Sequence, residues 1–222
     1  MNPLSSIRQA WQVALQDSLD RPLFRRWMRG ALTIEEYAAI LEQIAIQVAE
    51  HPGAMARLAD NWCDERRSMT KSLLGHAKSE SGHDELARDD IRALGLEPEA
   101  RGELPATRAI LDYMNSILDS GSPVAFLGYV FHLEFLPTTA GAELLQGLER
   151  AGIPQPATTF LAEHCEVDVA HNRLMERYLT ELVRTEDELQ EVIDAAVETA
   201  RLYSDMLEEA ASSACVPYPL SN

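Results

Sequence analysis

The stretch PATTFLAEHCEVDVAHNRLMERYLTE (residues 156–181) decides the fold class, because its pattern is helical from end to end. Its apolar residues recur at the three- and four-residue spacing of an amphipathic α-helix. The rest of the chain is similar: only 6% of residues are aromatic, β-branched runs are few, and no Asn-Gly or Asp-Gly hairpin turn joins alternating segments. The sequence therefore predicts an all-α protein.

Seven segments with this periodicity predict a helical bundle of about seven helices. They are residues 4–18, 33–51, 54–94, 107–118, 123–151, 156–181 and 186–211. The third is too long for one straight helix and is expected to bend near Gly75 or Gly82, and Pro137 and Gly141 are expected to kink the fifth. No long linker divides the chain, so we expect a single helical domain of residues 1–222 with a core of about 4–211 and a flexible tail at 212–222.

The composition excludes several classes of partner. The chain has 222 residues, with 19 Lys and Arg against 36 Asp and Glu, for a net charge of −17. Phosphates would be repelled, so we expect no nucleic-acid partner and no anionic membrane partner. No apolar run approaches the ~18 residues of a membrane span, and residues 1–12 lack the features of a signal peptide. Cys63, Cys165 and Cys215 are far apart without CxxC spacing, which favours a reducing cytoplasm.

Four of the six histidines occur in two copies of one spacing. The two triplets are His76-x3-Glu80-x2-His83, within HAKSESGH, and His164-x3-Asp168-x2-His171, within HCEVDVAH. On a straight helix, positions i, i+4 and i+7 fall within about 60° of the circumference. Each triplet is therefore predicted to project two imidazoles and a carboxylate from one stripe. Those ligands suit iron, manganese or zinc, and the absence of a cysteine cluster disfavours iron–sulfur and structural zinc sites.

A further acid, Glu134, lies in the apolar run VAFLGYVFHLEFL (residues 124–136). An unpaired charge in such a run is costly, so a cation or a strong hydrogen-bond partner is expected beside it. Dimetal centres in helical bundles are built from carboxylates and from Glu/His pairs three residues apart. Glu134 is therefore predicted to be a bridging carboxylate between the triplets.

Other interpretations of these residues stay open at this point. Charged residues at i, i+4 and i+7 also occur on solvated helix faces. His76 is the weakest member of its triplet: it is expected to be an additional ligand, to contact and orient the ligands, or to lie at the surface. His132 is expected on another face of its helix, and His51 in a turn without a function. Cys165 lies about 100° around a helix from His164, which disfavours a nucleophile there.

With these residues the chain resembles the haem-oxygenase-like di-iron oxidases and oxygenases, over roughly residues 20–205. HCEVDVAH resembles their C-terminal ligand helix, ESGHDELARDDIRALG (residues 80–95) their central helix, and LGYVFHLEF (residues 127–135) the helix with a bridging glutamate. The resemblance implies a seven-helix haem-oxygenase-like fold. It also implies the metal ligands Glu80, His83, Glu134, His164, Asp168 and His171, with one more carboxylate from the second helix, either Glu42 or Glu50.

The function implied by this resemblance is oxidation of a small organic substrate, such as a fatty acid, an amino acid or an amine. Two iron ions, with manganese as an option, would activate O2 with an external electron donor, and a homodimer is expected. Haem is not expected, because residues 1–36 contain no histidine to serve as its proximal ligand. The alternatives are a metal-free TenA-like hydrolase or small-molecule binding protein on the same fold, in which Cys165 could act, and a helical interaction module.

Overall fold

The structure, a computed structural model, describes residues 3–62, 66–98 and 101–214. These residues form ten α-helices and two short 3-10 turns, at Arg67–Met69 and Gln155–Ala157, and no β-strand. The helices are α1 (Pro3–Leu19), α2 (Pro22–Met28), α3 (Ile34–Ala49), α4 (His51–Asn61), α5 (Thr70–Ser79), α6 (His83–Ala93), α7 (Pro105–Asp119), α8 (Ala125–Arg150), α9 (Thr159–Leu182) and α10 (Glu186–Ser213). The predicted all-α bundle is confirmed.

The helix count exceeds the predicted seven for two reasons. The short helix α2 begins with Pro22 at its first turn and buries Leu23, Phe24 and Trp27. Seven residues are too few to show a helical period in the sequence. The predicted third segment is divided into α4, α5 and α6.

The break between α5 and α6 falls at Gly82, one of the two predicted positions. Gly82 has φ +95°, in the left-handed region that side chains disfavour. Gly75, the other predicted position, lies inside α5 with no interruption. The chain therefore turns at Gly82, immediately before His83 begins α6.

The helix α8 packs against both α9 and α10. It runs unbroken from Ala125 to Arg150 with Pro137 inside it. Gly141 allows α9 to approach closely, because a Cβ at this position would collide with the Sγ atom of Cys165. The same helix therefore brings Glu134 beside α9.

A carboxylate on α6 caps the first turn of α9. Asp90 Oδ1 accepts hydrogen bonds from the Thr159 backbone N–H at 3.0 Å and from its hydroxyl at 2.6 Å. Asp90 Oδ2 accepts from the Phe160 N–H at 2.9 Å. The first N–H groups of a helix have no partner within the helix. Asp90 satisfies two of them and so fixes α9 to α6.

The predicted C-terminal end of the core differs slightly from the structure, and most of the predicted tail is not described by it. The helix α10 extends to Ser213, two residues beyond the predicted core, and residues 215–222 of the predicted tail lie outside the described residues. Cys63 and Cys215 also lie outside them. No helix among the described residues is both long enough and apolar enough to cross a membrane.

Candidate metal centre

The first triplet lies on both sides of the break at Gly82. His76 is in α5, Glu80 caps the C-terminus of that helix, and His83 is the first residue of α6. The prediction of one helical stripe is therefore wrong for this triplet. The side chains nevertheless converge: Glu80 Oε2 lies 3.2 Å from His83 Nδ1, and Glu80 Oε1 lies 3.8 Å from His76 Nε2.

The second triplet lies on α9, on one face, as the spacing predicts. His164, Asp168 and His171 are all buried. The Nδ1 atom of His164 lies 2.7 Å from the backbone oxygen of Phe160. A ring nitrogen can only donate to a carbonyl oxygen, so Nδ1 carries the proton and Nε2 is left with a free lone pair. Metal-binding histidines are commonly oriented by this kind of hydrogen bond.

Glu134 joins the two triplets. Its Oε1 atom lies 2.8 Å from His76 Nε2, and its Oε2 atom lies 3.2 Å from His171 Nδ1. The same Nδ1 atom of His171 lies 3.1 Å from Glu80 Oε1 and 3.4 Å from Asp168 Oδ1. Three carboxylates therefore meet at one imidazole nitrogen.

The ligand atoms form two overlapping groups, within each of which all atoms lie within 4.8 Å of one another. One group contains His76, Glu80, Glu134 and His171, and the other contains Glu80, His83 and His164. Glu80 is the residue that both groups share. This is the arrangement expected for two neighbouring ions with a common carboxylate.

Two of the atoms around the cluster are buried without a hydrogen-bond partner among the described residues. They are Asp168 Oδ2 and His76 Nδ1. Buried polar atoms are rarely left unpaired, because each loses its hydration without compensation. Imidazole nitrogen and carboxylate oxygen together suit iron and other first-row transition metals. The residues present therefore fit a transition-metal centre.

The electrostatics of the cluster also favour a bound cation. Burial alone would raise the pKa of Glu134, but hydrogen bonds with His171 and His76 lower it to about 2. Burial also disfavours the charged form of His171, yet its bonds to Asp168 and Glu134 raise its pKa to about 10. Burial, together with the charges of Glu134 and Glu80, raises the pKa of Asp168 to about 8. A metal ion would balance these crowded carboxylates in place of a proton.

Of the alternatives expected for His76, the surface position is wrong, because its side chain is 0% exposed. The two expected second-helix carboxylates also need correction. Glu42 belongs to neither group of ligand atoms and accepts hydrogen bonds from the backbone N–H groups of Arg101 at 2.7 Å and Gly102 at 2.9 Å. Glu50 is exposed at the C-terminal cap of α3. The structure therefore brings neither expected second-helix carboxylate to the cluster.

Two other residues occupy that side of the cavity. Gln47 and His51 line it together with Glu80, Glu134, His164 and Asp168. The sequence expectation that His51 lies in a turn without function overlooked it: His51 begins α4 and is 5% exposed. The four-residue spacing between Gln47 and His51, about one helical turn, is the sequence signal that could have indicated that they lie together. His132 instead accepts a hydrogen bond from Trp11 Nε1 at 3.0 Å.

The ten-helix bundle and its buried histidine–carboxylate centre are the features of a helical metalloenzyme, and the comparisons with known proteins agree. Residues 38–204 match the model of a family described as iron-containing redox enzymes. This match covers most of the chain, so the protein belongs to that family and is an enzyme with redox activity. The family assignment also confirms the resemblance inferred from the two triplets and Glu134.

Known proteins are similar to this chain over most of its length. A 4-aminobenzoate synthase of Chlamydia muridarum is 25% identical over 194 residues, which are 83% of this chain and 81% of that protein. A domain of unknown function with a haem-oxygenase-like fold from Shewanella denitrificans superposes with a TM-score of 0.87 at 20% identity, covering 95% of this chain and 92% of that one. A TenA homologue from Pseudomonas syringae gives 0.79 at 13% identity, covering 94% and 92%. The two structures establish the haem-oxygenase-like fold.

Proposed function

We propose that this enzyme is a non-haem di-iron oxidase or oxygenase that uses O2 to oxidise a small organic substrate. The observation that carries the proposal is Glu80, which belongs to both groups of ligand atoms. Dimetal centres in helical bundles are built from carboxylates and histidines on facing helices, and a carboxylate common to two such groups would lie between two ions. The name of the Chlamydia muridarum relative, a 4-aminobenzoate synthase, supports chemistry on a small organic molecule.

The proposed ligands come from four helices and the break between two of them. They are His76, Glu80, His83, Glu134, His164, Asp168 and His171. Bound ferrous iron would supply the electrons for the reduction of O2, and an external donor would restore them. The protein holds the ligand rings in place: Phe160 orients His164, and Ser79 Oγ lies 3.2 Å from His171 Nε2. Burial of the cluster excludes bulk water from the reacting atoms.

The alternative of a metal-free TenA-like hydrolase is less well supported, although the fold is shared. Among the described residues its nucleophile would be Cys165, whose Sγ atom lies 3.5 Å from the backbone oxygen of Pro137. Burial raises the pKa of this thiol, whereas a nucleophilic cysteine needs a lowered one. The cavity beside the metal cluster is lined by other residues.

Anaerobic titration with Fe(II) tests the metal proposal. We expect saturation at two equivalents per chain, and loss of at least one equivalent in His76→Ala and in His164→Ala, because the remaining ligands cannot complete the geometry. The matched control is His132→Asn, which removes a buried histidine outside both groups of ligand atoms and keeps an acceptor for Trp11. Unchanged stoichiometry in both cluster variants would overturn the proposal, and elemental analysis of the protein as purified would show whether manganese replaces iron.

A second test uses Glu134→Gln, which keeps the shape of the side chain and removes its charge. In the metal-free protein this change removes the negative charge that pairs with His76 and His171, so stability should be lower. In the Fe(II)-loaded protein the same change should reduce the gain in melting temperature that the metal provides. Equal gains in wild type and variant would show that Glu134 is not a ligand.

A further inference from the structure

Gln47 is a buried polar side chain in the wall of the metal cavity that the metal does not require. It lies on α3, is 0% exposed and lines the cavity. Its Nε2 atom lies 2.6 Å from the Tyr129 hydroxyl oxygen and 3.0 Å from His51 Nε2. Its Oε1 atom is buried and has no hydrogen-bond partner among the described residues.

The NH2 group of Gln47 faces Tyr129 and His51. An amide NH2 group has two protons, and here Tyr129 and His51 can accept one each. Burial lowers the pKa of His51 to about 4, which leaves its ring neutral at neutral pH, and its Nε2 atom accepts in the tautomer that carries the proton on Nδ1. Both donors of Gln47 are therefore used, and its carbonyl oxygen is left to accept from a group inside the cavity. A buried acceptor without a partner is costly, so a bound molecule that donates to it would be favoured.

An apolar cavity adjoins the metal cavity and shares part of its wall. The shared residues are Leu136, Pro137, Phe160 and Tyr203. Beyond them the lining is aliphatic and aromatic, and Tyr37 contributes the one other hydroxyl among the described residues that line it. Charged side chains are absent from that part of the lining. The apolar cavity is therefore suited to a hydrocarbon body, and not to a second charged group.

The size of the two cavities limits the molecule. Their volumes are about 40 Å³ beside the cluster and about 50 Å³ in the apolar cavity. One water-sized group needs on the order of 10–15 Å³ on this scale, so the two together accommodate roughly six to nine such groups. That matches a single substituted ring or a short aliphatic chain, and it excludes a long acyl chain.

We propose that Gln47 is a substrate-recognition residue that accepts a hydrogen bond from the hydroxyl or amino group of a compact, mostly apolar molecule, whose hydrocarbon body occupies the adjoining cavity. This inference deepens the proposed function and rests on it for the role of the bound molecule. Recognition by Gln47 itself does not need the metal. Tyr129 and His51 are positioning residues, because they act by holding the amide.

Phenol and toluene form a matched pair of probes, because they have the same size and differ in one hydroxyl against one methyl group. Calorimetric titration of the full chain after chelator treatment measures both affinities without competition from iron. We expect wild type to bind phenol about 2- to 10-fold more tightly than toluene, the range that one net hydrogen bond provides. Gln47→Met keeps the length of the side chain and removes the acceptor, so it should abolish or reverse this preference.

Further variants keep the test independent of folding defects. Gln43→Met makes the same substitution one turn earlier on α3, where the amide bonds to Gly102 and Leu104 outside both cavities, and it should keep the phenol preference. Leu161→Trp introduces bulk from a half-buried position in the apolar cavity and should weaken both probes alike. Tyr129→Phe removes one of the two groups that hold the amide and should reduce the preference without abolishing it.

The outcomes separate this inference from the proposed function. Equal binding of the two probes by wild type, or a phenol preference that survives Gln47→Met, would overturn the role of Gln47. Tight binding of dodecanoate, or no binding of either probe, would overturn the proposed size of the molecule and the use of the cavity. Phenol recognition that depends on Gln47 in a protein that binds no Fe(II) would leave the inference standing and remove the di-iron function.

Discussion

The two histidine triplets have the same spacing but different backbones. HCEVDVAH lies within α9, whereas HAKSESGH crosses the break at Gly82, with Glu80 and His83 on opposite sides of it. In α9 the helix itself aligns the ligands, so their geometry depends on how its first turn is held. At the break, one left-handed glycine sets the geometry. One spacing can thus be realised in two ways that are sensitive to different changes.

The largest expected difference between the two triplets is in how much metal affinity is lost when the central carboxylate of each, Glu80 or Asp168, is removed. Glu80→Ala should weaken binding of both ions by more than the roughly 10- to 100-fold typical of residues that only support ligands, because Glu80 belongs to both groups. Asp168→Ala should weaken one ion only. Anaerobic competition between the protein and a chelator for Fe(II) measures both constants. Equal losses in the two variants would mean that the triplets contribute symmetrically and that Glu80 is not shared.

The next difference concerns the backbone at the break. Gly82→Ala should lower the free energy of unfolding by about 1–2 kcal/mol, because a side chain disfavours its left-handed conformation. Space is not the cause, since a Cβ there meets nothing within 4 Å. Gly75→Ala inside α5 is the control and should raise stability by about 0.5–1 kcal/mol. Urea unfolding of the metal-free chain measures both, and a Gly82→Ala variant as stable as wild type would contradict this account.

In the second triplet, the feature that corresponds to Gly82 is the Asp90 cap on the first turn of α9, because the position of the helix depends on it. Asp90→Asn places an NH2 group against a backbone N–H of the first turn and should cost about 0.5–2 kcal/mol, as the loss of a helix cap does. Asp89→Asn, an exposed neighbour that pairs with Arg92, should change stability by less than about 0.5 kcal/mol. Hydrogen exchange should accelerate at residues 159–162 in the first variant. Uniform acceleration along α9 would show that the cap acts on the whole helix.

The smallest difference is in the titration of His83 and His164, whose rings are 4.7 Å apart. A hydrogen bond with Glu80 raises the pKa of His83, whereas burial lowers the pKa of His164. The stability from His83 should be complete below its unfolded pKa and lost as the pH rises through its raised one. His164 should instead destabilise the chain as the pH falls below its unfolded value. Nuclear magnetic resonance titration of the metal-free protein, with His164→Gln for assignment, should show His83 protonating first; the reverse order would contradict it.

The contrast also shows what can be predicted from a sequence. HCEVDVAH lies on an unbroken helix, so its spacing alone gave the correct face. The burial of Glu134 followed from its apolar neighbours. The break at Gly82 could be predicted, because a bend was expected at one of two glycines. That this break divides the first triplet between two helices could not be predicted. The role of Glu42 as an acceptor for backbone N–H groups could not be predicted, because it depends on residues 101–102 packing against α3.

Gln47 and His51 were missed for a related reason. Their position beside the cluster depends on how α3 packs against α6 and α10 and on their contacts with Tyr129 of α8, and no local pattern encodes such long-range packing. A glutamine on a buried helix face is also a less conspicuous signal than a histidine triplet. The proposed recognition residue is therefore harder to find from the sequence than the proposed metal ligands.

The bond between Asp90 and the start of α9 has a consequence for the order of assembly. It joins residues 69 positions apart, so α9 can form its turns early, from local interactions, but its first turn gains its partner only when α6 has docked. A nascent chain would expose HCEVDVAH as an isolated helix with too few ligands to hold iron tightly. Metal capture would then follow the completion of the bundle, and iron retention would report that a newly made chain has folded correctly.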